Sequence, residues 1–316
     1  MKNIQSALIR FCMQLLCILL GIILAVMLGL TVHVQHQVDK LHQGDAVLQT
    51  QASAEAISLS SQAQTKPVSL VNILLIGQDA REGEAGSRSD SIMLCTYNPQ
   101  QNTVHLTSFL RDLYVPIPGH GSNRINAAYA FGGSKLLKKT VEENFQLNID
   151  GTVQVDFSQF SDIIDLLGGV SITLRPDEAA VINEETGSDL TEGLQTLNGQ
   201  QALAYTRIRK LDTDGDFSRT SRQRTVIHAI LNGYRNVGTG TLLKLVYNLL
   251  PMIDTDMEAG ELMALAVCVV PGLSDLTFYS QHIPAAGDYQ DQRIDGMSVL
   301  VPDLQKCTER LHESLR

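Results

Sequence analysis

The sequence predicts an α/β domain, in which a central sheet is flanked by helices, preceded by one membrane-spanning helix. From residue 69 onward, apolar runs of strand length alternate with segments of helical periodicity. Near the amino terminus, a single apolar run is long enough to span a bilayer. The chain has 316 residues, 44% of them hydrophobic, which allows one sizeable core but not a second large domain.

The apolar run covers residues 11–32 and contains a single strongly polar side chain. A helix of this length crosses a hydrocarbon core of about 30 Å. Lys2 and Arg10 precede the run, and Lys40 is the first cation after it, so the positive-inside bias places residues 1–10 in the cytoplasm. We predict a signal anchor. A cleaved signal peptide is the alternative, but no small-x-small site follows the run closely.

The rest of the chain divides by composition into three segments. Residues 33–68 are rich in Gln, Ser, Ala and Thr, which predicts an extracytoplasmic stalk. Residues 69–304 carry the strand and helix signals without an internal repeat, which indicates a single domain. Residues 305–316 are mostly polar, and we expect them to form a tail in which Cys307 is exposed.

Three strands open this domain. Residues 69–76 form a continuous apolar run typical of a buried strand, and residues 91–97 and 103–109 have the same character. The polar residues 98–102 between the last two are good turn formers. These two strands are therefore expected to form a hairpin beside the first strand.

Helices are predicted where residues that cap amino termini precede periodic apolar segments. The expected helices run from Ser134 to about Phe145, from Ser158 to Gly168, from Asn198 onward, and from Thr220 to Val237. Because strand and helix signals alternate, a sheet covered by helices is expected.

The arginine content indicates what kind of ligand the domain binds. The formal net charge is -10, which disfavours nucleic acid as a partner. Between Val71 and Thr225, however, there are ten Arg against four Lys. Guanidinium groups match phosphate oxygens in bidentate geometry and stay charged when desolvated, so this excess indicates a buried phosphate or pyrophosphate site. Ion pairs with the many Asp and Glu residues are the alternative.

The spacing of these arginines favours shared ligands. Arg219, Arg222 and Gln223 are three and four residues apart, so they lie on one side of a helix start. Arg207 and Arg209 are two residues apart and would project to the same face of an extended segment. Each set alone is a weak signal for a phosphate clamp.

Two carboxylates are placed to share a cation. Asp79 follows the first predicted strand and Asp90 begins the second, after a loop that carries Arg81 and Arg88. Magnesium is often held by one or two carboxylates together with water and substrate phosphates. The pair is therefore a candidate magnesium site, and ordinary loop solvation is the alternative.

Eight sequence blocks in one order resemble the LytR-CpsA-Psr family, and the match spans roughly residues 70–232. The blocks are GQDAR at 77–81, RSD at 88–90, SFLRD at 108–112, RINAAY at 124–129, GG at 132–133, LLGGV at 166–170, LNGQQALAYTRIR at 197–209 and GDFSRTSRQ at 215–223. A single membrane helix before these blocks is also typical of the family.

The resemblance implies a central, mixed or mostly antiparallel sheet flanked by helices, with a hydrophobic tunnel for a polyprenyl chain. It makes residues 69–304 a catalytic domain outside the cytoplasmic membrane of a Gram-positive type of envelope. The implied enzyme is a transferase that moves a glycopolymer (teichoic acid, capsular or another anionic polysaccharide) from a polyprenyl-pyrophosphate donor to peptidoglycan. The product is a phosphodiester, and the implied cofactor is Mg²⁺, with Mn²⁺ as the alternative.

The resemblance also assigns roles to individual residues. The implied metal ligands are Asp79 and Asp90. Arg88 and Arg111 would lie beside the metal and the phosphates and, with Asp112, form the catalytic set. The pyrophosphate would further be held by Arg207, Arg209, Arg219, Arg222 and Gln223, with Arg81, Arg124 and Asp216 in support. Asp112 and Asp216 would orient arginines, and a general-base role for Asp112 is less favoured. Leu110 stands where the family usually has proline, which puts the role of Arg111 most in doubt.

Two other functions are alternatives to glycopolymer transfer, one enzymatic and one not. A polyprenyl-pyrophosphate phosphatase would use the same metal and arginines but water as the acceptor. A non-enzymatic envelope regulator or lipid-binding protein would need no chemistry. Regulation by DNA contact is disfavoured, because the domain is predicted outside the membrane and has no helix-turn-helix pattern.

Overall fold

The computed structural model describes residues 70–78, 89–209, 211–212 and 215–315. Among these residues, no helix is long and apolar enough to cross a membrane. The predicted cytoplasmic segment, signal anchor and stalk, residues 1–68, lie outside the described residues.

The centre of the domain is a mixed six-stranded sheet in the order β10-β3-β2-β1-β6-β9. β2 runs antiparallel to β1 and β3, β9 runs antiparallel to β6, and β6 and β10 run parallel to β1 and β3. The strands are β1 Val71–Gln78, β2 Ser89–Asn98, β3 Thr103–Phe109, β6 Gly151–Val155, β9 Asp254–Thr255 and β10 Thr277–Ile283. The predicted first three strands and the hairpin between the second and third are confirmed.

Three two-stranded antiparallel ribbons and eight α-helices surround this sheet in the described part of the chain. The ribbons pair β4 Tyr114–Ile117 with β5 Gly121–Arg124, β7 Val170–Leu174 with β8 Gly193–Leu197, and β11 Tyr289–Ile294 with β12 Met297–Pro302. The helices are α1 Ala127–Phe145, α2 Phe157–Leu166, α3 Pro176–Thr186, α4 Gly199–Arg207, α5 Asp216–Gly233, α6 Thr239–Leu249, α7 Ala259–Val269 and α8 Leu304–Ser314. Two 3₁₀ turns, Leu250–Met252 and Val270–Asp275, follow α6 and α7.

Helices cover both faces of the sheet, because alternate residues of each central strand point to opposite sides. On one face, Leu74, Leu94 and Phe109 pack in one buried cluster with residues of α1 and α8. On the other face, Met93 and Leu106 pack against residues of α5 and α6. This arrangement explains why the central strands are apolar on both sides rather than on one.

The helix starts differ from the predictions at three places. Helix α1 begins at Ala127 rather than Ser134, and its backbone is kinked at Gly132 and Gly133, just before the predicted start. Asp156, rather than Ser158, caps α2, because its carboxylate accepts from the Gln159 backbone while the Gln159 side chain accepts from the Asp156 backbone. Helix α5 begins at Asp216, earlier than predicted. Asn198 caps α4 as predicted.

The predicted polar tail at residues 305–316 is wrong for the residues that the structure describes there. Residues 304–314 form α8, and Cys307 and Leu311 are 0% exposed. Asp303 caps this helix through the Lys306 backbone. The polar composition concealed an amphipathic helix, in which Cys307, Leu311 and Leu315 recur at helical spacing and complete the core beneath α1.

We predict that Leu311→Ala lowers the free energy of unfolding by about 2–5 kcal/mol, because it leaves a cavity in a closed core. Urea denaturation followed by circular dichroism measures this change. Glu309→Ala on the exposed side of the same helix is the control and should change stability by less than about 0.5 kcal/mol. Equal effects of the two substitutions would contradict the packing of α8.

Candidate functional site

A charged cluster lies where β2 begins, β3 has ended and α5 begins. Asp90 is near the start of β2, and Arg111 follows the end of β3. Since Met93 pairs with Ser108 in the antiparallel register, continuing this register brings Asp90 and Arg111 to the same level. The Arg111 Nη1 donates to Asp90 Oδ1 over 2.7 Å. The pairing of β2 with β3 therefore brings Asp90 on β2 next to Arg111, which lies just beyond β3.

Arg219 in the first turns of α5 is the most deeply buried member of the cluster, with 2% of its surface exposed. Its Nη2 donates to the Asp90 backbone oxygen over 2.8 Å and lies 2.9 Å from Asp216 Oδ1. Burial lowers the pKa of Arg219 to about 10, against the opposing effect of Asp216. The guanidinium therefore keeps its charge at neutral pH inside a desolvated site.

Asp216 joins Arg219 to Arg111. As the first residue of α5, its carboxylate lies where the helix dipole favours negative charge. It is 3.4 Å from Arg111 Nε. Burial opposes the charge of Arg111, but Asp216 and Asp90 outweigh this effect and raise the Arg111 pKa above its ordinary value. The structure thus places Asp216 between two arginines, as expected for a residue that orients them.

Three further predicted residues lie at the edge of the cluster. Asp112 is 3.2 Å from Arg124 Nε and 4.0 Å from Arg111 Nε. Arg124 also donates to the Ser298 backbone oxygen. Arg209 Nη2 is 3.6 Å from Asp90 Oδ2. Asp90 is therefore contacted by three guanidinium groups, those of Arg111, Arg209 and Arg219.

Arg222 does not join this cluster. Its Nε donates to Glu178 over 2.9 Å, and its Nη2 contacts Asp212. Arg175 lies 3.1 Å from the same Asp212. Burial opposes the charge of Arg222, but the bonds to Asp212 and Glu178 raise its pKa, and the bond from Arg222 lowers the pKa of Asp212. Arg175, Glu178, Asp212 and Arg222 form a separate ion-pair network that ties α3 to α5.

Arg207 is also placed differently from the expectation. It ends helix α4, so it does not share an extended segment with Arg209. Its Nη1 is 3.2 Å from Glu185 Oε1, and its guanidinium carbon lies 5.1 Å from the centre of the Phe157 ring. Because Arg207 is the last residue of α4 and Arg209 lies beyond the helix, the alternation of an extended segment does not apply to this pair.

An apolar cavity of about 410 Å³ begins beside the charged cluster. Ser91, next to Asp90, and Gln223, one helical turn after Arg219, both line it. The Gln223 Oε1 is buried and accepts no hydrogen bond. The remaining wall is almost entirely apolar and is made by Leu75, Ile76, Gly77, Met93, Val153, Val155, Asp156, Phe157, Phe160, Ile163, Ile164, Leu203, Thr206, Ile227, Ile230, Val246, Leu249, Leu250, Ile253 and Leu262.

The cavity-lining residues could not be identified from the sequence. Ile227 and Ile230 have the helical spacing of ordinary core residues, and so do the apolar residues of α6 and α7.

The residues Asp79, Arg81 and Arg88 lie outside the described part of the chain. Their roles as metal ligand, supporting residue and catalytic residue stay predictions.

Comparison with known proteins identifies the family. A LytR_cpsA_psr family model matches residues 30–313. The chain belongs to the LytR_cpsA_psr family. The expected mixed sheet flanked by helices is the fold of its relatives of known structure.

One curated relative is the polyisoprenyl-teichoic acid--peptidoglycan teichoic acid transferase TagU of Bacillus subtilis (strain 168). It is 38% identical to this LytR_cpsA_psr chain over 182 residues, 56% of this chain and 58% of TagU. The similar TagT of the same strain is 39% identical over 53% of this chain and 54% of its own. The matched region thus spans less than two thirds of these relatives.

Solved structures show the same fold over more of the chain. The crystal structure of B. subtilis TagT has a TM-score of 0.63 and 28% identity, and covers 80% of this chain and 95% of TagT. A structure of the LytR-CPS2A-psr family protein YwtF (TagT) with bound octaprenyl pyrophosphate lipid has a TM-score of 0.60 and 27% identity, covering 80% of this chain and 94% of YwtF.

The placement of Arg222 predicts a structural rather than a ligand-binding effect. Arg222→Met leaves Glu178 and Asp212 without their buried partner and should destabilise the fold by about 3–5 kcal/mol. The double variant Glu178→Leu with Arg222→Met should recover most of this loss, because it removes both buried charges of that pair. Urea denaturation of the single and double variants measures the coupling.

Lys139→Met is the control for this cycle, since Lys139 forms an exposed ion pair with Glu143 at 3.7 Å. It should change stability by less than about 1 kcal/mol. If Arg222→Met were as stable as the unmodified chain, the ion-pair network would not stabilise the fold.

Proposed function

We propose that this chain transfers a glycopolymer from a polyprenyl-pyrophosphate donor to peptidoglycan and forms a phosphodiester. The observation that carries the proposal is the direct continuity of the arginine cluster with the apolar cavity. Asp90 and Ser91 are adjacent residues, one in the charged cluster and the other in the cavity wall. A prenyl pyrophosphate has the same two parts in the same order, a doubly charged head and an apolar chain.

The charged cluster fits a pyrophosphate better than a neutral ligand. Among the described residues, the guanidinium groups of Arg111, Arg124, Arg209 and Arg219 stand against the carboxylates of Asp90, Asp112 and Asp216. Arg209 is about half exposed, so its donors are accessible to a ligand that approaches the cluster from solvent. Arginine forks of this kind stabilise negative charge on phosphate oxygens.

The chemistry follows from this arrangement. An acceptor hydroxyl oxygen attacks the phosphorus that carries the glycan, and the bond from this phosphorus to the bridging oxygen breaks. Polyprenyl phosphate leaves with the bonding electrons, and the hydroxyl proton is released. Arg111, Arg209 and Arg219 neutralise the charge that develops on the leaving phosphate. No nucleoside triphosphate is required, because the donor already contains the activated bond.

Asp112 acts in this proposal by orienting arginines. Its carboxylate lies between Arg124 at 3.2 Å and Arg111 at 4.0 Å. Asp216 has the same role for Arg111 and Arg219.

We include Mg²⁺ in the proposal, with Mn²⁺ as the alternative ion. Asp79 and Asp90 would be its protein ligands. Asp90 Oδ1 is bonded to Arg111, while Oδ2 lies 3.6 Å from Arg209 and retains lone pairs for a cation. Among the residues that the structure describes, no three His, Cys, Asp or Glu side chains form a metal site. One or two carboxylates suffice when phosphate and water complete the shell. The ion would neutralise charge on the pyrophosphate oxygens.

The relatives support both substrates. TagU and TagT are named polyisoprenyl-teichoic acid--peptidoglycan teichoic acid transferases. The YwtF structure contains an octaprenyl pyrophosphate lipid. Teichoic acid is therefore the polymer we favour over capsular polysaccharide. We further propose that a signal anchor at residues 11–32 holds the domain outside the cytoplasmic membrane.

Mass spectrometry of products tests the proposal against the hydrolase alternative. The full chain in detergent is incubated with a polyprenyl-pyrophosphate glycan and a peptidoglycan oligomer, with and without Mg²⁺. Mg²⁺-dependent attachment of glycan phosphate to the oligomer is expected. Release of glycan phosphate alone would favour hydrolysis, and the absence of turnover would favour a lipid-binding protein.

In the same assay, Arg111→Met should reduce transfer by about 10²–10³-fold, because it removes a charged donor aimed at the phosphates. Arg293→Met is the matched control and should retain full activity, since Arg293 is exposed on β11 and its hydrogen bond among the described residues stays within its own ribbon, to the Gly296 backbone oxygen. Thermal unfolding of both variants separates lost activity from lost folding. Unchanged transfer by Arg111→Met would remove Arg111 from the catalytic set.

Tryptophan fluorescence tests the cavity directly, because the chain contains no Trp. Leu249→Trp places the probe in the cavity wall, and its emission should shift to shorter wavelength when geranylgeranyl pyrophosphate is added. Tyr279→Trp places the control probe on the exposed surface of edge strand β10. A shift in both variants, or in neither, would contradict binding of the prenyl chain in this cavity.

A further inference from the structure

Arg224 in α5 is buried without a counter-ion. Only 7% of its surface is exposed. Its Nη1 donates to Ser108 Oγ over 2.8 Å, and its Nε has no hydrogen-bond acceptor. No carboxylate of the described residues lies within ion-pair distance of its guanidinium. A neutral hydroxyl is thus the partner of a buried positive charge.

The two other buried arginines of the same helix have the carboxylate partners that Arg224 lacks among the described residues. Arg219 contacts the carboxylates of Asp90 and Asp216, and Arg222 contacts those of Glu178 and Asp212. All three arginines are at least nine-tenths buried. Arg219 and Arg222 each have two carboxylate partners, whereas Arg224 has none among the described residues, so its counter-charge is expected from a ligand.

An unpaired buried charge is unfavourable in the unliganded protein. Burial lowers the pKa of Arg224 to about 10, so the side chain stays protonated at neutral pH. An anion that approaches this charge through the desolvated interior is attracted more strongly than it would be in water. The site therefore gains affinity for anions from a residue that weakens the unliganded fold.

The position of Arg224 beside the cavity identifies the anion. Ser108, which holds its guanidinium, is the strand partner of Met93, and Met93 lines the cavity. Gln223, next to Arg224 in the chain, also lines it. Ser108 lies three residues from Arg111, roughly 10 Å along the strand. Arg224 does not itself line the cavity, but Ser108 links it to the strand pair that carries Met93. Its charge therefore lies beside both the cavity wall and the cluster.

Arg224 differs in its charge balance from the other buried arginines of the described residues. No other buried guanidinium among the described residues lacks a carboxylate partner.

We propose that Arg224 is a further binding determinant for the donor, acting as the buried counter-charge of the phosphate that bears the prenyl chain. This inference rests on the proposed function. Its effect is exerted through the protein interior rather than at the exposed mouth. At roughly 10 Å and an effective dielectric constant of about 20, one such charge changes the affinity for an anion by on the order of 10-fold.

The test compares two ligands that share a prenyl chain and differ in charge, geranylgeranyl pyrophosphate and geranylgeraniol. Binding of each to the full chain is measured by calorimetry for the unmodified protein, Arg224→Met and Arg224→Lys. Arg224→Met should weaken pyrophosphate binding by about 10-fold or more and leave geranylgeraniol binding unchanged. Arg224→Lys keeps the charge and should recover most of the lost affinity.

Thermal unfolding without ligand supplies an independent readout. Arg224→Met should melt at the same temperature as the unmodified chain or higher, because it removes an unpaired buried charge. Unchanged pyrophosphate affinity in Arg224→Met would overturn the inference. Equal loss of both ligands together with a lower melting temperature would also overturn it, because it would show that Arg224 maintains the fold.

Failure of the proposed function gives a different result. In that case the unmodified protein itself would bind geranylgeranyl pyrophosphate no more tightly than geranylgeraniol. If Arg224→Met is obtained only as unfolded protein, Arg224→Gln, which can keep the hydrogen bond to Ser108, measures the effect of the charge with the same pair of ligands. Unchanged pyrophosphate affinity in Arg224→Gln would then overturn the inference.

Discussion

The carboxylate of Asp90 is the contact on which the arrangement of the site depends. It accepts from Arg111 over 2.7 Å and lies 3.6 Å and 3.7 Å from Arg209 and Arg219. Arg111 follows β3, Arg209 follows α4, and Arg219 lies in the first turn of α5. Three separate segments therefore converge on one side chain. Without this negative charge the three guanidinium groups would repel one another in a partly desolvated space. The three guanidinium groups are therefore held in position by a side chain of the protein itself.

Local patterns in the sequence predicted three of the six strands of the central sheet and only part of the site. β1, β2 and β3 followed from apolar runs separated by turn residues, and these patterns depend on neighbours close in sequence. Arg222 could not be placed in this way, because its partner Glu178 is 44 residues away. Helical spacing put Arg222 near Arg219, but the choice between a ligand and a carboxylate is made by tertiary packing. For the same reason, the sequence alone does not distinguish Arg224 from the other arginines of α5.

The cavity illustrates a second limit of sequence patterns. Ile227 contributes to the cavity wall and packs against the buried cluster that contains Met93. Neighbouring Leu231 on the same helix packs against this cluster without lining the cavity. Both residues satisfy the same period of about 3.6 residues. Whether an apolar face closes against another helix or leaves a space depends on how far apart the helices lie, and no residue type encodes this distance.

The three buried arginines of α5 differ in how completely the protein neutralises them. Arg222 is held by two carboxylates and secures α3, and Arg219 shares its carboxylates with other arginines of the cluster. Among the described residues, Arg224 has only the hydroxyl of Ser108 as a partner. The degree of neutralisation therefore differs among three arginines of one helix. A protein selected only for stability would pair or remove such a charge, whereas a site that binds an anion gains from keeping it. Arginine suits this use because its guanidinium stays protonated when it is desolvated.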